Sequence, residues 1–164
     1  MGDTVLRRAV LAGGYRLVEA SSLGLPADSP TVHLAGTGAV MPQVLEAAAE
    51  LAEEGIAANV VDVTSIDRLY KAWQRTLRQG VRTATNPSVP GALRVCFPYR
   101  APVVTVHDAS SHAMAWLGSA IGAPAVSLGV DSFGQSGTVP DLHAAHDLDA
   151  GSIVNGALAA LSLA

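Results

Sequence analysis

Charge and cysteine are both scarce in this chain of 164 residues. Only 15% of the residues are charged, the net charge is -4, and there is one cysteine. Phosphate neutralisation needs an excess of Lys and Arg, so this balance excludes an ordinary nucleic-acid binder. The lone Cys96 rules out an internal disulfide and the paired patterns of zinc or redox sites. We expect Cys96 to be a small core or loop side chain.

Long apolar runs are missing as well. The stretch after Arg7 and Arg8 is shorter than the core of a signal peptide, and no window approaches a membrane span, so we expect a cytoplasmic protein. What the chain does have is 49% hydrophobic residues, enough for one substantial core. We expect residues 1–164 to form a single domain that begins with an N-terminal arm, residues 1–14.

Short β-branched runs alternate with segments of helical period. The runs predict five strands, at residues 15–20, 32–35, 59–63, 102–107 and 125–129. Apolar spacing predicts helices after the second, third, fourth and fifth strands, with a last helix at the end of the chain. This alternation is typical of an α/β domain with a largely parallel sheet. Residues 79–102 hold four prolines and little periodicity, which predicts a long irregular connection.

Several helix ends carry recognisable signals. Thr138 and Asp149 are predicted N-caps, the second helix is predicted to begin at Thr64 and Ser65 with Asp67 in capping-box position, and Gly122 is predicted to end the third helix. For that third helix, Ser110 or Ser111 is the expected cap. We also expect Asp108 and Ser110 to satisfy its free N–H groups.

Ligands of open α/β sheets bind beyond the carboxyl ends of the strands. Four loops qualify, and their candidate residues are Gly36, Thr37 and Gly38; Thr64 and Ser65; His107, Asp108, Ser110 and Ser111; and Asp131, Ser132, Phe133, Gly134, Gln135 and Ser136. The Gly36 to Gly38 turn exposes N–H groups that suit a small anion, although a plain strand-to-helix turn is the better interpretation.

Histidines and neighbouring residues suggest two weaker alternatives. His107, Asp108 and Ser111 are the residue types of a hydrolase triad, but their near-contiguity argues against triad geometry. His143 and His146 share a helix face and suggest a surface metal site, for which a solvated helix end is the simpler interpretation. His33 is expected to be a packed histidine whose ring nitrogen is satisfied.

Half of the basic residues fall on one helix. They are spaced three or four residues apart, opposite the predicted apolar face, and we call them the basic band: Arg68, Lys71, Arg75, Arg78 and Arg82. An ordinary solvated face is one interpretation. The functional one is a docking surface for an acidic partner such as a carrier domain.

Two stretches carry a family resemblance. The first joins Val-His-Leu-Ala-Gly-Thr-Gly, residues 32–38, to Val-Val-Asp-Val-Thr-Ser, residues 60–65, and looks like the opening of the transketolase C-terminal domain. The second, Ser-Leu-Gly-Val-Asp-Ser-Phe-Gly-Gln-Ser-Gly at residues 127–137, is followed by Asp-Leu-Asp-Ala at 147–150. It resembles the end of the homodimeric pyruvate dehydrogenase decarboxylating component. The resemblance covers nearly the whole chain from about Tyr15.

The resemblance implies a three-layer α/β/α domain with a five-stranded mixed sheet whose first strand is antiparallel. It implies an assembly domain without a catalytic site of its own, because thiamin diphosphate and magnesium are expected in partner domains that this chain does not contain. The enzyme would move a two-carbon acyl or ketol unit, to a lipoyl or other carrier domain. The expected partners are those catalytic domains or subunits, an acidic carrier domain, and further copies in a homodimer or hetero-oligomer.

Some residues depart from the pyruvate dehydrogenase pattern, which has Gly, Arg and Asp where this chain has Ser132, Gln135 and Gly137. The donor is therefore open between a 2-oxoacid such as pyruvate and a ketose phosphate. We expect the chain to be either an excised domain or one subunit of a split enzyme. The alternatives are an independent small-anion-binding module that kept the fold and, more remotely, a small hydrolase.

Overall fold

The computed structural model describes residues 3–164. One sheet organises them, with strands in the order β1-β3-β2-β4-β5. The strands are β1 (Tyr15–Val18), β2 (Thr31–Thr37), β3 (Ala57–Asp62), β4 (Val103–His107) and β5 (Ala125–Leu128). Strand β1 pairs antiparallel with β3, and all other pairs are parallel. The predicted five-stranded mixed sheet with an antiparallel first strand is confirmed.

Seven α-helices accompany the sheet in the described residues. They are α1 (Asp3–Ala12), α2 (Met41–Glu53), α3 (Ile66–Thr83), α4 (Gly91–Cys96), α5 (Trp116–Ile121), α6 (Val139–Ala145) and α7 (Ala150–Ser162). The predicted caps at Thr138 and Asp149 are confirmed, and of Thr64 and Ser65 it is Ser65 that caps α3; each of the three side chains accepts a hydrogen bond from a backbone N–H in the first turn. Gly122, at φ 68°, ends α5 as predicted.

Two sequence predictions need correction. The predicted irregular connection, residues 79–102, contains the last turn of α3 and the whole of α4. The predicted third helix is a 3-10 turn, Ser111–Ala113, followed by the short helix α5. Within the N-terminal arm, residues 3–12 form α1, and residues 1 and 2 lie outside the described part. Helices of one or two turns carry too few apolar repeats to be recognised by period.

The winding of the chain places helices on both faces of the sheet. Going from β2 to β3, the chain moves in one direction along the sheet, and from β3 to β4 it moves back past β2. Right-handed crossovers therefore put α2 on one face and α3 on the other. The two cores follow this division: α2 and α7 pack on Leu34, Val60 and Val104, while α3, α4 and α5 cover Val61 and Val103 on the opposite face.

A buried polar cluster bridges the middle strands. His33 on β2 lies opposite Asn59 on β3, and both are at most 2% exposed. The His33 Nε2 atom donates to the Tyr99 carbonyl at 3.0 Å, and Asn59 Nδ2 donates to His33 Nδ1 at 3.3 Å. Burial lowers the pKa of His33, so the ring is neutral at pH 7. The prediction of a packed histidine with a satisfied ring nitrogen is confirmed.

Cys96 closes α4 against the second core and is fully buried. Burial raises the pKa of its thiol to about 12, so the side chain stays protonated and unreactive in the folded state. The prediction of a small core side chain is confirmed. No helix among residues 3–164 is both long and apolar enough to cross a membrane.

Candidate functional site

The reversal of winding creates a crevice at the carboxyl ends of β2 and β4. These two strands are neighbours, but the loop after β2 leads to a helix on one face and the loop after β4 to a helix on the other. In open α/β sheets this switch point is the usual place for a ligand. Thr37 and His107 are paired in register at the end of the two strands. The structure thus brings two of the four predicted loops into contact here.

The Gly36 to Gly38 turn is shaped by packing. A Cβ atom on Gly36 would lie 2.7 Å from Met41 Sδ and 2.9 Å from Val44 Cγ2, so glycine lets α2 approach β2 closely. Gly38 has φ +69°, and a Cβ there would lie 3.5 Å from Asp108 Oδ2. A carboxylate beside the turn repels an anion, which supports the plain-turn interpretation.

His107 sits beside Asp108 without making a catalytic contact. Its Nε2 atom is 3.7 Å from Asp108 Oδ1, beyond hydrogen-bond distance, and its imidazole is 17% exposed. Its Nδ1 atom is buried and has no hydrogen-bond partner among the described residues. No hydrogen bond links Ser111 to His107 in the part of the chain that the structure describes. The arrangement gives no support to a hydrolase triad.

Asp131 joins the loop after β5 to the loop after β4. Its Oδ1 atom accepts from Ser111 N at 2.9 Å and from Ser110 Oγ at 3.0 Å. Ser110 Oγ also lies 2.7 Å from Nδ1 of His112. Hydrogen bonds from Ser111 and then from Ser110 lower the pKa of the Asp131 carboxyl. Asp131 is therefore held ionised to organise two loops.

Asp131 takes the capping role that the sequence assigned to Asp108 and Ser110. Ser110 makes no side-chain cap on the 3-10 turn, and Asp108 makes no hydrogen bond to that turn among the described residues. The prediction was wrong because sequence proximity favoured Asp108, whereas the carboxylate that reaches Ser111 N arrives from 20 residues further on. Only the pairing of β4 with β5 makes this contact possible.

We expect Asp131→Asn to lower stability near neutral pH, because an amide oxygen is a weaker acceptor than a carboxylate. The Asp131 pKa is lower in the folded protein, so the carboxylate stabilises the fold above its unfolded pKa, near about 4, and loses this effect as pH falls through the folded value. Urea midpoints of wild type and variant should converge at low pH.

The control for this experiment is Asp28→Asn, at an exposed carboxylate with no hydrogen bond or ion pair among residues 3–164. Its urea midpoint should stay at the wild-type value. Faster amide exchange at Ser111 in the Asp131 variant would localise the effect. Equal midpoints for wild type and Asp131→Asn at neutral pH would contradict the assigned role.

The loop after β5 projects from this edge of the sheet. Residues 131–138 are all exposed, and they include the candidates Ser132, Phe133, Gln135 and Ser136. The Phe133 side chain is fully exposed, with a relative exposure of 105%. It is followed by Gly134, whose φ is +53°. A fully exposed aromatic side chain costs solvation free energy, so its position favours a contact with another protein surface.

A cavity of about 340 Å³ lies between this loop, Asp108 and α6. Its polar residues are Asp108, Gln135, His143 and His146, and its floor is apolar. The two histidines lie at the end of α6, are half-buried and line this cavity. The structure shows no cluster of three or more metal-ligating side chains within residues 3–164.

The basic band is exposed along α3. Lys71 pairs with Asp67 at 2.8 Å, and Arg68 donates to the Leu11 carbonyl. Sequence reasoning missed a groove of about 520 Å³ beside this helix, formed by Ile66, Tyr70, His112 and Trp116 with their neighbours. The packing of α5 beside α3 creates the groove, and no local sequence signal reports it.

The fold and this edge of the sheet agree with the family comparison. The model of the transketolase-like TK C-terminal domain matches residues 13–149. The chain belongs to the transketolase-like C-terminal domain family. None of the curated proteins matches the chain.

Solved structures with a similar fold are transketolases. One is described as a split gene transketolase, inactive beta4 tetramer, with 24% identity and a TM-score of 0.60 over 93% of this chain and 43% of that one. The transketolase of Campylobacter jejuni has 22% identity and a TM-score of 0.62 over 90% of this chain and 18% of that one. The transketolase of Leishmania mexicana has 21% identity and a TM-score of 0.61 over 95% of this chain and 19% of that one. This chain therefore spans less than half the length of these proteins.

Thiamin diphosphate with its metal does not fit this domain alone. A diphosphate and a divalent cation need several oxygen ligands and backbone donors that converge. The carboxyl edge offers Asp108 beside the Gly38 turn and Asp131 already engaged with Ser110 and Ser111. No cluster suited to a metal occurs in the described residues.

Proposed function

We propose that this chain is the assembly domain or subunit of a thiamin-diphosphate-dependent enzyme that transfers a two-carbon unit, and that it is inactive alone. The carrying observation is the family match over residues 13–149 on a chain whose candidate edge holds no assembled catalytic group. Similarity to a split gene transketolase over 93% of this chain supports a separate subunit. On this proposal residues 1–164 act as one domain.

The cofactor and its magnesium belong, on this proposal, to the partner domains. The role left to this chain is to support those domains and to form part of the wall near their active site. The exposed loop of Ser132, Phe133, Gln135 and Ser136 is the candidate contact, with Phe133 as its apolar anchor. The Thr37 to Gly38 turn and the His107 to Asp108 segment lie beside it at the same edge.

Two donors fit this proposal, a ketose phosphate that yields a ketol unit and pyruvate that yields an acyl unit. Ser132, Gln135 and Gly137 leave no basic residue in the projecting loop, where the pyruvate dehydrogenase pattern has an arginine. This difference favours the ketose phosphate. If pyruvate is the donor, the acceptor is a lipoyl or other carrier domain, which meets this chain at its basic band.

The alternative of an independent small-anion-binding module is disfavoured. Its site would combine the Gly36 to Gly38 turn with the loop from Asp131 to Ser136. Asp108 and Asp131 then present two carboxylates to the same space, and Asp131 is kept ionised by its hydrogen bonds. Like charges raise the free energy of an anion placed there.

The test is reconstitution with the diphosphate- and pyrimidine-binding polypeptide. Each chain alone and their mixture are assayed with cofactor and magnesium for two-carbon transfer from pyruvate and from a ketose phosphate. We expect activity only in the mixture, and the active donor then decides between the two enzyme types. Full activity of the partner alone, or failure to form a complex, would refute the proposal.

A matched pair of variants locates the contact. Phe133→Ala removes the exposed ring at the carboxyl edge, whereas Leu163→Ala removes an exposed side chain at the end of α7, next to Ala164, which lies near Pro102 and Ala123 at the opposite edge. We expect complex formation to weaken about tenfold or more in Phe133→Ala and to stay unchanged in Leu163→Ala. Equal affinity for the partner in the two variants would place the contact outside the Phe133 loop without refuting assembly.

A further inference from the structure

Helix α3 has three distinct faces. At about 100° per residue, Leu69, Trp73 and Gly80 point into the core, and all three are buried. The basic band points the opposite way. A third face, between them, carries Ile66, Tyr70, Leu77 and Val81, of which Ile66 packs against the second core and the other three are exposed. With Trp116 of the neighbouring helix α5, these residues form what we call the apolar flank.

Three residues of the apolar flank are exposed, while Ile66 and Trp116 are half-buried against the second core. Tyr70 is 39%, Leu77 36% and Val81 83% exposed. Tyr70 and Trp116 pack with ring centroids 5.3 Å apart at a tilt of 57°, beside the groove of about 520 Å³. From Ile66 to Val81 the flank runs about 22 Å along the helix axis. A straight strip of this length, with spacings of four and seven residues, suits an α-helix packed alongside.

The basic band sets the charge of that occupant. Among residues 3–164, Lys71 alone of the band has an ion pair, with Asp67, and the guanidinium groups of Arg75, Arg78 and Arg82 have no acidic partner. At about 100° per residue, Lys71 and Arg78 are the members of the band nearest the apolar flank, and Arg78 lies three residues from Val81, whereas Arg68, Arg75 and Arg82 lie further round the helix. A helix that buries its apolar side against the flank therefore meets Lys71 and Arg78 with one edge, and carboxylates there gain from these cations.

Pairing of α3 with the α3 of a second copy does not meet that requirement. A two-fold interface would place α3 beside its own symmetry mate. Each copy brings five basic residues and one acidic residue, Asp67, to this helix. The repulsion between the two bands opposes such a pairing, which favours an acidic helix of another protein as the occupant.

We propose that the apolar flank and basic band of α3 together form a docking groove for an acidic amphipathic helix of another protein. Tyr70 and Trp116, which line the groove together with Asp67, are of the residue types that contribute most to protein interfaces. The groove begins at the carboxyl end of β3, close to His112 and the loop after β4. A bound helix would lie next to the edge that carries the candidate loops. This inference does not require two-carbon transfer.

The test uses the full chain and three synthetic helical peptides of about 18 residues, long enough to hold helical structure. All carry leucines on one face; the flanking residues are glutamate in the first, lysine in the second and glutamine in the third. Trp116 fluorescence and calorimetry report binding. We expect the glutamate peptide to bind at least about tenfold more tightly than the lysine peptide, and less tightly as salt is raised.

Two variants locate the binding. Tyr70→Ala with Leu77→Ala removes apolar contacts, and Arg75→Glu with Arg78→Glu reverses two charges of the band. Each double variant should weaken glutamate-peptide binding about tenfold or more. The control is Arg94→Glu with Arg100→Glu, the same charge change at two exposed arginines outside α3, which should leave binding unchanged.

Three results would overturn the docking groove. They are equal binding of the glutamate and lysine peptides, no binding of the glutamate peptide, and self-association of the chain that is lost in Tyr70→Ala with Leu77→Ala. Reconstitution of enzyme activity is scored separately, so an active mixture with no peptide binding rejects the groove and retains the assembly function. Peptide binding together with an inactive mixture retains the groove and rejects the assembly function.

Discussion

Replacing Gly129 by alanine is expected to displace the two loops that Asp131 joins. An added Cβ would lie 2.5 Å from Ser111 N and 2.6 Å from the Ala109 carbonyl oxygen. Real Cβ atoms do not approach backbone this closely, and both neighbours are main-chain atoms that no side-chain rotation can remove. The backbone must therefore shift, at a cost of about 1–3 kcal/mol for overpacking.

We expect the hydrogen bonds between the loop after β4 and the loop after β5 to be lost together in Gly129→Ala. Val130 N donates to the Ala109 carbonyl at 2.9 Å, and Asp131 binds Ser110 and Ser111 just beyond it. We expect a lower urea midpoint and faster amide exchange at Ser111 and Val130. Complex formation with the catalytic polypeptide should also weaken, because Phe133 is carried on the displaced loop.

Gly91→Ala is the matched control. A Cβ at Gly91 meets nothing within 4 Å, its φ lies outside the left-handed region, and the residue opens helix α4. Alanine favours a helix over glycine, so the control should be neutral or slightly stabilising. A urea midpoint for Gly129→Ala as high as that of Gly91→Ala would show that the loops accommodate the added methyl group without loss of stability.

Replacing Asn59 by alanine is expected to break the buried cluster between β2 and β3. Asn59 Oδ1 accepts from Ala20 N at 2.9 Å, and Asn59 Nδ2 donates to Tyr99 Oη at 2.6 Å and to His33 Nδ1 at 3.3 Å. In the variant, the buried N–H of Ala20 and the ring of His33 lose these partners. Leaving buried groups unsatisfied costs about 1–3 kcal/mol, to which the small cavity adds.

Urea unfolding of Asn59→Ala measures this loss, with Asn86→Ala, an exposed position, as control. The slope of the free energy of unfolding against urea concentration should be unchanged, and the urea midpoint should be lower. Tyr99 is 46% exposed and is tied to the core by Asn59 and His33, so proteolysis in the segment before β4 should increase in the variant. An unchanged midpoint would mean that water replaces the amide without loss.

The sequence alone determined the local structure and the family. The strands at β2 to β5 were predictable because buried parallel strands are short, apolar and rich in valine, and Val103 to Val106 shows this directly. The caps Thr138 and Asp149 were predictable, and the cap of α3 was predictable to within one residue at Ser65, because a cap acts on N–H groups two or three residues away. The antiparallel β1 came from the family resemblance, since four residues carry too little pattern to give a direction.

Tertiary structure alone decided which distant residues meet. The Asp131 contact with Ser111 spans 20 residues, and the pair of Tyr70 with Trp116 joins two helices. Both depend on strand order, which places the ends of β3, β4 and β5 and the helices that follow them side by side. Periodicity and capping act within a few residues, whereas the candidate edge and the docking groove arise from packing between separate elements. For this reason the candidate loops were predictable from the sequence, whereas the contacts between them were not.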